Sequence, residues 1–402
     1  MTTLHSSKPL LPLESSASWR DRLATRIDRW MTSPALYQWV LTNPLTRWMV
    51  RRRSKQLFEV MAGFVHSQVL LACVRLRLLE LVLAQPRTLV ELSSLTQLPA
   101  AGLQRLLDSA VSMRLLALRG GDRYGLGSLG APVVAHPGIR DMVEHNATLY
   151  EDLRDPLALL RDPDQARMHA YWPYTDHQAG APQPKAPEAQ FARYSALMAT
   201  SQRFVIDELL AAYPFSEHRC VLDVGGGMGG WVTALARHQP GLQLQLFDLP
   251  PVADLAREQI RRQGLAARIT AFGGSFTEDP LPTGADLVTL VRVAHDHDDA
   301  TVLALLRAIQ TALPMGGTLL LAEPMAQGDG QASSTDPYFH FYLMAMGSGR
   351  LRTPQALGAL MTRAGFNHIE LAPNPMPLHA QLLVGRKTKC FPSDSTRCVH
   401  LD

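Results

Sequence analysis

Two stretches of the chain gather residue types that could do chemistry, and each follows an apolar run with the look of a β-strand. The first is Asp223-Val224-Gly225-Gly226-Gly227-Met228-Gly229-Gly230. Glycines at a strand–helix turn accept positive φ and let a ligand come close to the backbone. Gly225, Gly227 and Gly229 have the spacing GxGxG rather than the GxGxxG of the dinucleotide fingerprint, and alone they also read as an ordinary tight turn. Asp248 lies nineteen residues after Gly229, at the end of the next strand. A carboxylate there can accept both ribose hydroxyls of an adenosine group. Together the glycines, the register and Asp248 point to an adenosine-type ligand. Asp223 could meet a ligand's ammonium group or bond the turn itself.

The second stretch is Val293-Ala294-His295-Asp296-His297-Asp298-Asp299. A histidine at a strand end can serve as a general base, and it reads equally as a polar strand-end residue. Asp296 could orient or bias it, and Asp298 or Asp299 could cap the helix that runs to about Leu313. The string His-Asp-His-Asp is a poor metal site, because adjacent residues on one turn rarely converge on one ion, and no metal is expected. Glu323 closes Leu321-Ala322-Glu323-Pro324 as a strand-end carboxylate beside a proline turn. The run Phe339-His340-Phe341-Tyr342-Leu343-Met344-Ala345-Met346 reads as a helix. Its methionines and aromatics suit either an adaptable apolar slot or a packed core, and His340 is a reserve base.

Positioning these residues takes an α/β scaffold. From Cys220 onward strand and helix patterns alternate, with strands at Val221–Val224, Gln243–Phe247, Ile269–Phe272, Leu287–Val291, Thr318–Ala322, His368–Leu371 and Ala380–Val384. That alternation implies an open, mainly parallel sheet. Residues 56–83 read as one long helix, 88–98 and 100–113 as two shorter ones, and Leu115–Leu118 with Tyr124–Leu126 as a hairpin. Helix, turn, helix, hairpin is a winged-helix pattern. Its second helix offers only Gln104 and Arg105 among apolar neighbours, which favours an interaction or dimerisation role over DNA reading. Residues 175–190 read as a loop or lid, followed by a helix at Phe191–Tyr213.

The expected organisation is therefore a leader at 1–55, a winged-helix domain at 56–150, a linker or lid with helices at 151–200, a catalytic domain at 201–388 and a fraying tail at 389–402. A chain of 402 residues, 46% hydrophobic and 19% charged, can bury real cores, and its net charge of +3 is too small to imply a nucleic-acid partner. The charge is uneven. Residues 1–60 hold ten Lys/Arg against four Asp/Glu, and Trp19, Trp30, Trp39 and Trp48. Tryptophan and arginine among short apolar patches suit a membrane–water interface, and they also suit a disordered leader or helices packed on a partner. No apolar run approaches a membrane span, no secretory signal is read, and four scattered cysteines fit a reducing cytoplasm.

The segments VLDVGGGMGG and FDLP resemble the S-adenosylmethionine site of class I methyltransferases, a Rossmann-like fold with a seven-stranded sheet. With the winged helix before them and LVRVAHDHDD after them, the chain over roughly 56–388 resembles the plant-type small-molecule O-methyltransferases. The resemblance implies S-adenosylmethionine as methyl donor, a homodimer, His295 as base and Glu323 as the carboxylate that steers it. It also implies donor contacts at Asp223, Gly225, Gly227, Asp248, Ser275, Phe276, Arg292 and Ser201. Substrate contacts would come from Met198, His340 and Met344. Leu351 stands where the family has a second glutamate, and Gly274-Ser275 where it has an adenine-contacting Asp-Met pair. The segments FEVMAGFVHSQVLLACVRLRLLELV, GGSFTEDPLPTGADLVTLVRV and MPLHAQLLVGRK look like the hydroxyneurosporene (demethylspheroidene) O-methyltransferases of purple bacteria. That likeness implies the tertiary hydroxyl of an acyclic carotenoid as substrate, and a cytoplasmic enzyme with peripheral membrane contact. Alternatives are a polyketide, phenol or bacteriochlorophyll-type substrate, or a non-catalytic winged-helix ligand sensor.

Overall fold

The computed structural model describes residues 18–171, 205–328, 333, 335–347, 349–374 and 380–388. The chain divides into two units that meet between Ala72 and Cys73. In the first, α1 (Trp19–Met31) opens with a capping box: Ser18 N–H donates to Asp21 Oδ2 at 2.9 Å and Asp21 N–H to Ser18 Oγ at 3.3 Å. Ser33 caps α2 (Pro34–Thr42), with Pro34 in the first turn where its missing N–H costs nothing. Next comes α3 (Arg47–Arg75), which runs just past the division. It holds an 18-residue stretch of mean hydropathy 1.7, long and apolar enough to cross a membrane by composition. The expectation that no run approaches that length does not hold for it. His66, Ser67 and Gln68 break the run to the eye but leave its average high.

The single helix expected at 56–83 is two. Arg77 adopts a left-handed conformation (φ 53°), ending the run before α4 (Leu78–Ala84). The apolar spacing continues across this break into buried Leu78, Leu79 and Val82, so the pattern alone does not show it. The winged-helix part then has β1 (Arg87–Thr88), α5 (Leu89–Thr96), α6 (Ala100–Ser112), β2 (Leu116–Arg119) and β3 (Arg123–Leu126). The strands form an antiparallel sheet in the order β1-β3-β2, so the expected hairpin gains a third strand of two residues. Gln104 on α6 donates to Asp108 and to the Tyr124 hydroxyl, at 2.7 and 2.8 Å.

Helices α7 (Gly130–Ala135), α8 (Pro137–Asp152), α9 (Pro156–Arg161) and α10 (Arg167–Tyr171) follow. The expected lid at 175–190 and most of the helix at 191–213 lie outside the described residues; the part from 205 to 212 is helical and is called α11. The remainder is β4 (Cys220–Val224), α12 (Gly230–His238), β5 (Gln243–Asp248), α13 (Pro250–Arg262), β6 (Ile269–Gly273), β7 (Leu287–Val291), α14 (Asp299–Ala312), β8 (Thr318–Glu323), α15 (Asp336–Met346), α16 (Pro354–Arg363), β9 (Asn367–Ala372) and β10 (Gln381–Arg386).

Among the described residues these strands form one seven-stranded sheet in the order β6-β5-β4-β7-β8-β10-β9. Only β10 runs against its neighbours. Side chains alternate between two cores, as the strand pleat requires. Leu319 and Leu321 pack with α14 and α16 on one face, and Leu320 and Ala322 with α11, α12 and α13 on the other. The chain order reverses at β4, which pairs with both β5 and β7. In such a sheet the crevice for ligands opens beyond the strand ends at this reversal. The turns leaving β4 and β7 do lie side by side: a Cβ on Gly225 would stand 2.7 Å from Val293 Cγ2.

Candidate active site

Gly225, Gly227 and Gly229 have φ of +71°, +56° and +80°, the left-handed region that disfavours every residue with a Cβ. Gly227 N–H donates to Asp248 Oδ2 at 2.8 Å, and Leu249 N–H to Oδ1 at 2.7 Å. The end of β5 is thereby tied to the turn after β4. Burial lifts the Asp248 pKa to about 6, against the pull of those two N–H bonds. A Cβ on Gly227 would meet nothing within 4 Å, so this backbone faces open space. An open glycine cradle beside a fixed carboxylate fits the ribose and adenine of an adenosine group.

Asp223 is turned to the sheet. Its Oδ1 accepts from Thr289 Oγ1 at 2.7 Å, and the same hydroxyl accepts from Trp231 Nε1 at 3.2 Å. Of the two roles open to it, the turn bond gives way to this chain from β4 through β7 to α12. Its other oxygen lies 2.6 Å from where a Gly226 Cβ would be. Burial raises its pKa to about 8, the Thr289 bond opposing and the Asp248 charge adding to the rise.

His295 sits on a 3-10 turn, Ala294–Asp296, just after β7. Both ring nitrogens face carboxylates: Nδ1 is 2.6 Å from Glu323 Oε2 and Nε2 is 3.0 Å from Asp296 Oδ1. Glu323, at the end of β8 and fully buried, also accepts the N–H groups of Val293, Ala294 and His295 at 2.9, 2.7 and 3.4 Å. One carboxylate thus shapes the turn and aims the ring. Burial pulls the His295 pKa down, but the charges and bonds of Asp296 and Glu323 outweigh it and hold it up at about 9.

The turn is also gripped from beneath by residues that the sequence reading did not single out. Arg352 is buried; its guanidinium donates to Ala294 O at 2.9 Å, His297 O at 2.7 Å and Asp299 Oδ1 at 2.7 Å. Arg350 N–H donates to His295 O at 2.7 Å. Asp299 therefore binds arginines, while Asp298 caps α14 through the Thr301 N–H at 2.7 Å. Fifty-three residues separate Asp299 from Arg352 in the chain, and nothing in the spacing announces their meeting. The nearest signal is the pair of arginines, Arg350 and Arg352, that flank the Leu351 departure.

The other expected site residues divide. Arg292 has a left-handed backbone (φ 58°) and donates its N–H to Ala322 O at 2.8 Å, which turns the chain from β7 into the His295 turn. Ser275 bonds within its own loop, N–H to Asp279 Oδ2 at 2.9 Å and Oγ to Thr277 Oγ1 at 2.7 Å. Phe276 packs on the α14-side core with its ring edge-on to His297, the centroids 5.4 Å apart. His340 is exposed on α15, one turn before buried Leu343. Met344 is half-buried against an apolar cluster that includes Met168, Tyr342, Leu343, Met346 and Leu351. The methionine-aromatic run thus serves mostly as core. Met198 and Ser201 lie outside the described residues.

Comparison with known proteins decides the family. An O-methyltransferase domain model matches residues 164–367, and an O-methyltransferase dimerisation domain model matches residues 58–134. The chain belongs to this O-methyltransferase family. Within this methyltransferase the glycine turn, Asp248, the His295 turn, Glu323 and Arg352 all fall inside the first match. The apolar stretch of α3 from residue 58 onward falls inside the second, whereas α1 and α2 precede it. The chain is 40% identical to demethylspheroidene O-methyltransferase of Cereibacter sphaeroides, over 88% of this chain and 91% of that one. It is 37% identical to the demethylspheroidene O-methyltransferase of Rhodobacter capsulatus, over 90% of each. Human N-acetylserotonin methyltransferase, solved with S-adenosylmethionine, shares the fold at a TM-score of 0.68 and 24% identity, over 84% of this chain and 98% of that one.

Proposed function

We propose that this S-adenosylmethionine-dependent O-methyltransferase methylates the tertiary hydroxyl of an acyclic 1-hydroxy carotenoid of the demethylspheroidene or hydroxyneurosporene type. The carrying observation is the likeness to two demethylspheroidene O-methyltransferases across nine-tenths of the chain. Leu351 supports it: between Arg350 and Arg352, which hold the His295 turn, a buried apolar side chain stands where the family resemblance implies a carboxylate, and that suits a hydrocarbon.

The methyl donor, when bound, supplies a methyl group made electrophilic by a sulfonium. Gly225, Gly227 and Asp248 would hold its adenosine, with Asp223 behind them and Ser275, Phe276, Arg292 and Ser201 as further contacts. Holding the reacting oxygen in near-attack geometry supplies much of the rate. The proton is harder. A tertiary alcohol is far less acidic than an imidazolium, and each unit of pKa mismatch costs about 1.4 kcal/mol. The proton must therefore leave as the C–O bond forms, to a positioned base.

His295 is that base in this proposal, through Nε2, because Nδ1 is committed to Glu323. In the free chain Nε2 faces Asp296 and the ring is held protonated. A substrate hydroxyl that takes Asp296's place removes a charge from Nε2 and lowers the ring's proton affinity, so that the Nε2 proton passes to solvent and the neutral nitrogen is left to accept the hydroxyl proton. Glu323, tied by three backbone N–H groups, stays to steady the imidazolium that forms. Arg352 holds the turn rigid while this happens.

The dimerisation-domain match supports a homodimer, with residues 56–150 as the dimerisation part and 201–388 as the catalytic part. The leader at 1–55 would give a cytoplasmic enzyme peripheral contact with the membrane that holds such a substrate. The test is transfer of labelled methyl to detergent-dispersed 1-hydroxy carotenoids, with a panel of phenols alongside. Label in a carotenoid ether supports the reading. Label in phenols alone overturns the substrate and leaves the family intact.

A further inference from the structure

Helix α1 sorts its apolar, basic and acidic side chains around its axis, with Arg20 the one exception. Stepping about 100° per residue places Trp19, Leu23, Ile27, Trp30 and Met31 in one stripe about 120° wide. All five are exposed, the tryptophans by 66% and 63%. Arg22, Arg26 and Arg29 fill the sector along one edge of the stripe. Arg20 falls within the stripe, between Ile27 and Met31, and its guanidinium is 5.6 Å from the Trp19 ring centroid. The two acids, Asp21 and Asp28, stand about 120–140° from the centre of the stripe. Asp21 is moreover occupied in the capping box with Ser18.

We infer that α1 lies in the plane of an anionic lipid surface, with Trp19, Leu23, Ile27 and Trp30 sunk among the acyl chains and the arginines at the phosphates. This deepens the peripheral contact proposed above by naming the element and the lipid charge. Charge complementarity selects the occupant. Apolar-in, arginine-flanked and acid-out is the arrangement that satisfies both a hydrocarbon layer and a negative headgroup plane. A second copy of the chain is the less fitting occupant, because α1 precedes the residues matched by the dimerisation model and presents a row of like charges beside its stripe. Helix α1 is 13 residues and about 20 Å long, too short to span a bilayer and long enough to lie on one.

The experiment sediments the full chain with sucrose-loaded vesicles of phosphatidylcholine containing 30% phosphatidylglycerol, and with pure phosphatidylcholine vesicles, without substrate. The wild type should pellet with the anionic vesicles and release as salt rises. Arg22→Gln/Arg26→Gln/Arg29→Gln should weaken binding by about a hundredfold, since each arginine near an anionic surface contributes roughly fivefold. Trp19→Ala/Trp30→Ala should also abolish pelleting while its circular dichroism spectrum and thermal unfolding midpoint stay at the wild-type values, which shows the variant folded. Three results would overturn the inference: a wild type left in the supernatant, pelleting untouched by both variants, or a tryptophan variant whose dimer falls apart in sedimentation velocity. Because vesicle binding is read without substrate, a wrong carotenoid assignment leaves this outcome unaffected.

Discussion

Asp296→Asn keeps an oxygen beside His295 Nε2 and removes the charge that does most to hold the ring protonated. With a pKa of about 9, only about 3% of the free enzyme carries a neutral imidazole at pH 7.5, rising to roughly three-quarters at pH 9.5. The pH dependence of kcat/KM reports the ionisations of the free enzyme. Wild-type kcat/KM should therefore climb about twentyfold between pH 7.5 and 9.5 and then level off. A close opposite charge moves a pKa by about one to three units, so its loss should shrink the climb in the variant to about fourfold or less. The assay is initial-rate methyl transfer from labelled donor at limiting acceptor, in buffers spanning pH 6.5 to 9.5. The reasoning is refuted by a wild-type profile flat over that range, or by a variant whose profile keeps the wild-type slope and midpoint.

Other substitutions separate the parts of the site. Arg352→Ala leaves the carbonyls of Ala294 and His297 and the Asp299 carboxylate without their guanidinium; it should cost about 2–4 kcal/mol in urea unfolding and lower kcat more than donor affinity. Gly227→Ala forces a Cβ into a left-handed turn with open space around it, so about 1–2 kcal/mol of stability should go, and donor affinity measured by calorimetry should fall with it. Asp223 has a folded pKa raised to about 8, so its contribution to stability is fully present below about pH 4 and is lost as pH rises through about 8. Asp223→Asn keeps an acceptor for Thr289 without that penalty, so the donor-free variant should melt above the wild type at pH 8.5 and the gap should close toward pH 4.5.

The sheet was legible because buried parallel strands read as near-continuous apolar runs: every residue of β7 and β8 is buried. The site was legible where chemistry clusters in sequence, as in the glycine turn and His295-Asp296, and where it marks a strand end, as at Asp248 and Glu323. Long-range pairs were not. Arg352 reaches the His295 turn across more than fifty residues, and Thr289 meets Asp223 across sixty-six. Nor does a helical run state its facing: the same stretch that buries Tyr342 and Leu343 turns His340 to solvent. The break at Arg77 was hidden because apolar spacing runs through it unaltered.

The central claim joins a carotenoid hydroxyl to a base at His295. It is tested most directly by single-turnover transfer of labelled methyl to a 1-hydroxy acyclic carotenoid by the wild type and by His295→Ala, with donor affinity measured on both proteins. The account predicts label in the tertiary ether for the wild type, a loss of at least a hundredfold in the variant and unchanged donor affinity, the range expected for a general base. Equal rates of carotenoid ether formation in the two proteins would contradict it.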